Sequence, residues 1–578
     1  MKHVRSFVSA AVCALAVLTA APARAAEAAE PPAAEVDRAM ARIRPEAIRA
    51  HMRFLADDLL EGRGTGTRGY ALAAKYVAAR FEALGLAPAG TGGGYFQTVP
   101  LLRIILREPE CSLALIRDGR RTELKYGEDY LLTGGSLTQT DSQVTAPLVF
   151  AGFGVSAPGL GYDDYQGLDL RGKIAVMLSG APPTFPPDQR AYYSGSQVKV
   201  DAALARGAVG VFAVFLPADT PMPPWASVVR ALKTPRYQWV NESGAAHRNR
   251  PQARGIGALS PQAAERLFAA SPHTLEEVFQ AAAKGKPPAF ALPVEASLRT
   301  VSEHETSASP NVAALLRGSD PLLRDEVIVL SAHLDHLGIG EPIDGDAIYN
   351  GAYDNASGVA SLLEMANAFA SLPTPPRRSV LFLAVTGEEA GLQGSEYFVL
   401  HPTVPRDKIV ADVNVDMFMM LHPLNDFVAF GAEHSSLGQI TGEAAARLGL
   451  KVTPDPFPGQ VMFIRSDQLS FIREGIPSLF LRSGFGPASA GGVSADLQWL
   501  QRTYHKPGDD MSQTFDFEAG AQFVRLNFLI GYLAAQEDEA PRWNPGDFFG
   551  EKAGGEASEG EEKKGGRPED DRRPQKSG

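Results

Sequence analysis

The feature that most constrains this chain is an alternation that sets in near residue 310, where short continuous apolar runs are separated by helix-length amphipathic stretches. Val327-Ile-Val-Leu-Ser-Ala332, Val380-Leu-Phe-Leu-Ala-Val385, Ile409 to Val415 and Ser478-Leu-Phe-Leu481 read as strands. Between them, Ala356 to Leu372 carries Val359, Leu362, Leu363, Ala366 and Phe369 at spacings of three and four, and further helices fall around Leu437–Leu448 and Phe517–Ala535. Strands that are apolar throughout must be covered on both faces. Joined by amphipathic helices, they predict an α/β fold with a mixed, mainly parallel sheet between helical layers.

The 578 residues hold more than this unit. Residues 36–85 read as helical, with Ile48, Met52, Leu55 and Leu59 on one face. From about 100 to 300 the chain turns to short strands and many prolines, with Lys173-Ile-Ala-Val-Met-Leu178 and Phe212-Ala-Val-Phe215 as strands and Val200 to Arg206 as a short helix that Gly207 can end. That stretch has no dense cluster of His and carboxylates. The organisation expected is an α/β domain split into 36–130 and 297–547, with a β-rich insertion at 131–296.

Both ends stand apart from the fold. Lys2 and Arg5 precede an apolar run from Phe7 to Leu18, and small residues at Ala23 and Ala25 suit cleavage, so residues 1–25 read as an export signal. The run is too short for a permanent membrane span, which predicts a periplasmic or secreted protein with no stable membrane anchor after cleavage. Residues 551–578 contain no large apolar side chain and read as a solvated tail.

Composition narrows the chemistry. A formal charge of −12 argues against nucleic acid as a partner, because phosphate contacts need clustered Lys and Arg. With only Cys13 and Cys111, no thiolate-built metal site can form. Any metal ligands must therefore be His and carboxylates.

Those residues fall where the apolar strands end. The first strand runs into His333-Leu-Asp335, the second into Thr386-Gly-Glu388-Glu389, and the third into Asn414-Val-Asp416. In open α/β sheets ligands sit beyond the carboxyl ends of the strands, so these clusters should converge. Asp354 adds a carboxylate just before the helix that starts near Ala356, and His505 lies in a loop before the last helix. Taken singly, each has a plainer reading as a surface turn, a solvated charge pair or a helix cap. Their recurrence in order at successive strand ends does not. Zinc takes imidazole nitrogen and carboxylate oxygen where thiolates are absent, and two metals about 3.5–4 Å apart need a bridging ligand that an Asp can supply. Of the adjacent Glu388 and Glu389, one can then face the metal and the other the attacking water.

His333-Leu-Asp-His-Leu-Gly338, Gly351-Ala-Tyr-Asp-Asn-Ala-Ser-Gly358, Thr386-Gly-Glu-Glu-Ala-Gly391, Asn414-Val-Asp416 and Tyr504-His505 resemble the co-catalytic two-zinc aminopeptidases, the superfamily that includes glutamate carboxypeptidase and the transferrin receptor. Leu60-Glu-Gly-Arg63 and Gly64-Thr-Gly66 extend the resemblance toward the N-terminus. It implies one zinc ion on His333, Asp354 and Asp416 and a second on Asp354, Glu389 and His505, with Asp354 bridging. It further implies Glu388 as general base, Asp335 as the carboxylate that orients His333, and Tyr504 as a hydrogen-bond donor to the tetrahedral intermediate. His336 is expected outside the ligand set, against a ligand or facing solvent.

Val149-Phe-Ala-Gly-Phe-Gly154, Tyr162-Asp-Asp-Tyr165, Gly172-Lys-Ile-Ala-Val176 and Lys199 to Val211 resemble the protease-associated domain inserted in some of these peptidases. Phe463-Ile-Arg-Ser-Asp-Gln-Leu-Ser-Phe471 resembles a pocket-lining stretch of secreted bacterial relatives, which makes Arg465 and Asp467 candidates for substrate contact. Gln468 departs from it by replacing a common His, and Tyr353 by replacing a frequent acidic or Asn residue. The reading that results is an exported zinc exopeptidase acting on peptides, an aminopeptidase first. A two-zinc carboxypeptidase or deacylase is the alternative, although the short stretch between Asp416 and His505 leaves little room for the lid those relatives insert. A receptor-like binding module would show gaps in the ligand set, and none is visible.

Overall fold

The computed structural model describes residues 32–217, 225–232, 235–458, 462–484 and 494–552. The expected export signal and residues 553–578 of the expected tail lie outside the described residues, while Glu551 and Lys552 are helical.

Strands Val327–His333, Ser379–Val385 and Ser478–Ser483 are buried at every position, and Ile409–Asn414 at all but one. Alternate side chains explain why. Ile328, Leu330, Ala332, Val380, Phe382 and Ala384 enter the core beneath the long helices, whereas Val327, Val329, Leu381, Leu383 and Val385 enter a second core with Phe398 and Phe471. One face is covered by helices Pro45–Leu55, Arg68–Ala83, Gly358–Ala370 and Phe517–Gln536, and the other by Gln393–Leu400 and Gln468–Arg473.

In the α/β domain the order across the sheet is 379–385, 327–333, 409–414, 478–483, all parallel, flanked by the antiparallel strands 312–316 and 426–430. This is the mixed, mainly parallel sheet between helical layers that the apolar runs predict. Four parallel strands present their carboxyl ends on one edge. Among the described residues no helix is long and apolar enough to cross a membrane.

One long strand, Ala289–Leu316, runs from the inserted domain into the α/β domain, pairing first with 141–151 and 112–116, then with 96–106, and finally with 379–385. Its own sheet has a parallel core of 148–150, 174–178, 210–214 and 256–259. The boundaries differ from the expected 131 and 296. Strands Ser112–Arg117, Arg120–Leu124 and Tyr130–Gly134 already belong to the inserted sheet, while Arg236–Trp239, inside the expected insertion, pairs with 101–104 of the α/β domain. Composition changes gradually there, but pairing partners are fixed by contacts far apart in sequence. Leu59 is a smaller correction. The helix stops at Leu55, and the turn Asp58–Arg63 leaves Leu59 at 83% exposure rather than on the buried face with Ile48 and Met52.

Candidate metal centre

His333 is the last residue of its strand and is buried. Its Nδ1 lies 3.1 Å from the backbone oxygen of Asp335, which fixes the ring and turns Nε2 toward Asp354 Oδ1 at 3.3 Å and Asp416 Oδ1 at 3.2 Å. The other oxygen of Asp354 faces His505 Nε2 at 3.2 Å, and Glu389 Oε2 lies 3.3 Å from the same nitrogen. One carboxylate is thus shared by two imidazole–carboxylate sets.

The shared carboxylate is held rigidly. Backbone N–H groups of Tyr353 and Asp354 donate to the two oxygens of Asp509 at 2.8 and 3.0 Å. Gly351 turns the chain into this segment at φ +60°, where a Cβ would lie 2.0 Å from Asp354 O and 2.6 Å from His336 Cγ. Behind the turn, the buried Arg63 donates to the carbonyls of Leu334, Asn350, Gly351 and Leu55. The N-terminal segment therefore clamps the strand end that carries His333 and the turn that carries Asp354.

Two donors bound to one tetrahedral ion at about 2.0–2.2 Å each stand roughly 3.3–3.6 Å apart. Separations of 3.2–3.3 Å between nitrogen and oxygen donors, with no sulfur, fit zinc. The electrostatics agree. Burial opposes ionisation of Glu389, but His505 and His336 outweigh it and carry its carboxyl down to about 2. Asp354 is likewise held well below the usual carboxylate range, against burial, by His336, His333 and His505. Burial would also lower His333 and His505, yet their carboxylate neighbours raise both well above the ordinary imidazole value. Acids driven down beside imidazoles driven up show each carboxylate–imidazole pair favouring the other's charged form in a pocket rich in negative groups.

Glu388 behaves oppositely to its neighbour. Burial, opposed by His333 and reinforced by Glu389, Asp416 and Asp467, raises its carboxyl well above the usual range. It is placed by Asp335, whose Oδ1 accepts from Glu388 N at 3.1 Å and whose Oδ2 accepts from Glu389 N at 3.3 Å and Thr65 Oγ1 at 3.0 Å. This differs from the expected role. The Asp335 carboxylate stands 3.9 Å from His333 Nδ1, too far for a hydrogen bond, because those three donors draw it toward the glutamate turn. The backbone of Asp335 orients His333, and its side chain orients Glu388 and Glu389.

His336 is buried, so the solvent-facing option is excluded. Its Nδ1 sits 2.7 Å from Glu389 Oε1 and 3.8 Å from Asp354 Oδ2, while its Nε2 has no hydrogen-bond partner among the described residues. His336, Asp354 and Glu389 bring ligand atoms within 4.8 Å of one another, as do His333, Asp354 and Asp416. His336 thus lies closer to the donor sets than expected, and Asp509 joins the site unannounced by the motifs. The His-x-x-His spacing and an acid four residues after His505 were the available signals.

Tyr504 caps the Ala495–Thr503 helix and stacks on His505, with ring centroids 3.8 Å apart. Burial, then Asp354 and Glu389, keep its hydroxyl protonated far above neutral pH, so it remains a donor. Arg465 is exposed, its guanidinium lying against Met462 Sδ. Asp467 is fully buried, neither carboxylate oxygen finds a hydrogen-bond partner in good geometry among the described residues, and burial, opposed by His333, lifts it to about 7. Gln468 is a brace rather than a pocket residue, donating to Phe463 O and accepting from Asn414 Nδ2, both at 2.9 Å. Tyr353 is likewise structural, stacked on Phe515 and donating to Thr514 O.

Residues 311–526 match the family model described as Peptidase family M28. A stretch of 237 residues is 29% identical to a probable leucine aminopeptidase 2 of Aspergillus oryzae, covering 38% of this chain and 43% of that protein. A shorter stretch of 88 residues is 42% identical to a probable zinc metalloprotease of Pyricularia oryzae, covering 15% and 16% of the two chains. The chain thus spans less than half the length of these curated relatives. In fold it is similar to an aminopeptidase from Aneurinibacillus, with TM-score 0.53 at 19% identity over 87% of this chain and 97% of that one.

Proposed function

Taking residues 311–526 as a Peptidase family M28 domain, we propose that this chain is a zinc-dependent exopeptidase, an aminopeptidase that removes N-terminal residues from peptides with two zinc ions. The observation that carries this reading is the Asp354 carboxylate, whose two oxygens face His333 and His505 respectively at 3.3 and 3.2 Å. His333 and Asp416 complete one donor set, and Glu389 and His505 the other.

Zinc, when bound, polarises a carbonyl oxygen and lowers the pKa of water. The remaining steps belong to the chain. Glu388, raised by burial and held by its own N–H on Asp335, takes the proton from the water that attacks the scissile carbonyl and delivers it to the departing amine. Tyr504, kept protonated, donates to the oxygen on which negative charge develops. Asp335 holds the Glu388–Glu389 turn, and Asp509 holds the Asp354 turn. Of the two candidates for substrate contact, exposed Arg465 is kept on the substrate side, whereas Asp467, fully buried, is set aside. We also infer export with removal of residues 1–25; full-length protein retained in the cytoplasm with Met1 intact would argue against it.

A panel of peptides with free amine, blocked amine and blocked carboxyl ends tests the assignment. The free-amine and carboxyl-blocked peptides should lose residues stepwise from the N-terminus, and the amine-blocked peptide should resist. Cleavage indifferent to the blocked amine but abolished by a blocked carboxyl would move the assignment to a carboxypeptidase.

A further inference from the structure

A second constellation of metal-binding type lies away from the catalytic centre, where three distant segments meet. Asp188 comes from the Pro187–Ser194 helix of the inserted domain, Glu433 and His434 from the loop after strand Asp426–Phe430, and Asp547 from the segment near the C-terminus. No stretch of sequence shows it, because no two of the three segments are neighbours in the chain.

The imidazole is fixed and directional. Its ring stacks on Phe463, with centroids 4.8 Å apart, and meets Phe549 edge-on at 5.1 Å, leaving only 4% of the side chain exposed. Nδ1 lies 2.7 Å from Asp547 Oδ2. Asp547 is itself locked, since its Oδ1 accepts from the N–H groups of Phe549 at 2.9 Å and Gly550 at 3.2 Å. A carboxylate acceptor on Nδ1 puts the proton there and leaves the lone pair on Nε2, which is how imidazoles are set up to bind metal.

That Nε2 makes no hydrogen bond among the described residues. It faces Asp188 Oδ1 at 3.7 Å and Glu433 Oε1 at 3.9 Å, too far for a hydrogen bond. Both gaps are slightly wider than the roughly 3.3–3.6 Å between two donors on one tetrahedral zinc ion, so a bound ion would draw the surface carboxylates of Asp188 and Glu433 a few tenths of an ångström toward Nε2. The catalytic centre, with gaps of 3.2–3.3 Å, is a tighter version of the same arrangement. Charge points the same way. Asp188 is raised by burial and by Asp547 and Glu433, His434 alone opposes them, and no Lys or Arg is among the groups acting on it.

We propose that Asp188, Glu433 and His434, with Asp547 behind the imidazole, form a second, non-catalytic zinc site that clasps the inserted domain and the C-terminal segment to the α/β domain. The donor set of one imidazole and two carboxylates leaves a coordination position for water and lies at the surface, since Glu433 is 68% and Asp188 37% exposed. The inference does not depend on the reading of the catalytic centre.

The test is zinc content per chain, measured by mass spectrometry on full-length protein dialysed against micromolar zinc chloride, together with the thermal midpoint. Wild type should hold three zinc ions. Asp188→Asn and His434→Gln should each hold two, with turnover of a free-amine peptide within about twofold of wild type and with the zinc-dependent rise in midpoint reduced. Asp188→Asn keeps the side chain's size at a half-buried surface position, and a zinc-free thermal midpoint equal to that of zinc-free wild type would separate lost binding from misfolding. Equal zinc content in wild type and both variants overturns the site, as does a clasp whose strength follows pH and ignores zinc. A defect in the catalytic pair would instead appear in Asp354→Asn, with loss of turnover.

Discussion

The α/β domain and the inserted domain both bury charge, and they treat it differently. In the inserted domain, Lys199 Nζ donates to the carbonyls of Leu178 and Gly180 at 2.6 and 2.8 Å, while Asp164 accepts from Val155 N at 3.0 Å and the Tyr162 hydroxyl at 2.7 Å. Each group is closed off by its own neighbourhood. In the α/β domain, His333 at a strand end, Glu389 just past another, Asp354 in the turn before a helix and His505 in a loop converge, and His333 Nε2, Asp354, Glu389 and His505 Nε2 face other ionisable side chains. A buried charge is therefore no sign of a site by itself. Charges that converge and face each other are the signature, whereas charges tied off on main chain brace the fold.

The sharpest break in the comparison comes from the shared carboxylate. Asp354→Asn should abolish turnover and release both catalytic zinc ions, whereas Lys199→Met should leave turnover within about twofold. Comparable losses from the two would erase the distinction. Glu388→Gln comes next. It removes the proton carrier while keeping volume, so turnover should fall about 10²–10⁴-fold with zinc content unchanged. Asp335→Ala strips the acceptor from the N–H groups of Glu388 and Glu389. A loss of roughly 10–100-fold confined to kcat is expected, since His333 keeps its contact with the Asp335 backbone. Zinc loss as severe as in His333→Ala would show instead that the carboxylate serves the histidine.

The smallest effect is on stability. Burial, opposed by Asp164, lowers the Lys199 ammonium to about 7, below the value of about 10.4 it has in an unfolded chain. Between those values the unfolded chain binds the extra proton, so stability should rise as pH climbs from about 7 toward 10.4. Thermal midpoints of wild type should gain on those of Lys199→Met across this window. Parallel curves would mean that Lys199 stays charged when buried.

The strands were legible because an uninterrupted apolar run has few other ways to be buried, and the ligands because His333, Glu389 and Asp416 lie at or just past strand ends. What escaped was decided by partners distant in sequence. The side chain of Asp335 turns away from His333 because Thr65 and the glutamate turn supply its donors, and His336 is buried because it lies against Glu389. Where the insertion begins depends on the pairing of 112–116 with 295–299, a match no local pattern announces. The cluster of Asp188, His434 and Asp547 was invisible for the same reason.

Hydrolysis at the Asp354 centre should depend on bound zinc. The direct measurement strips wild-type protein with a chelator, then follows N-terminal release from a free-amine peptide as zinc chloride is returned. Turnover should vanish with the metal and recover fully as the two donor sets refill. Undiminished turnover in protein shown to carry no metal would contradict it.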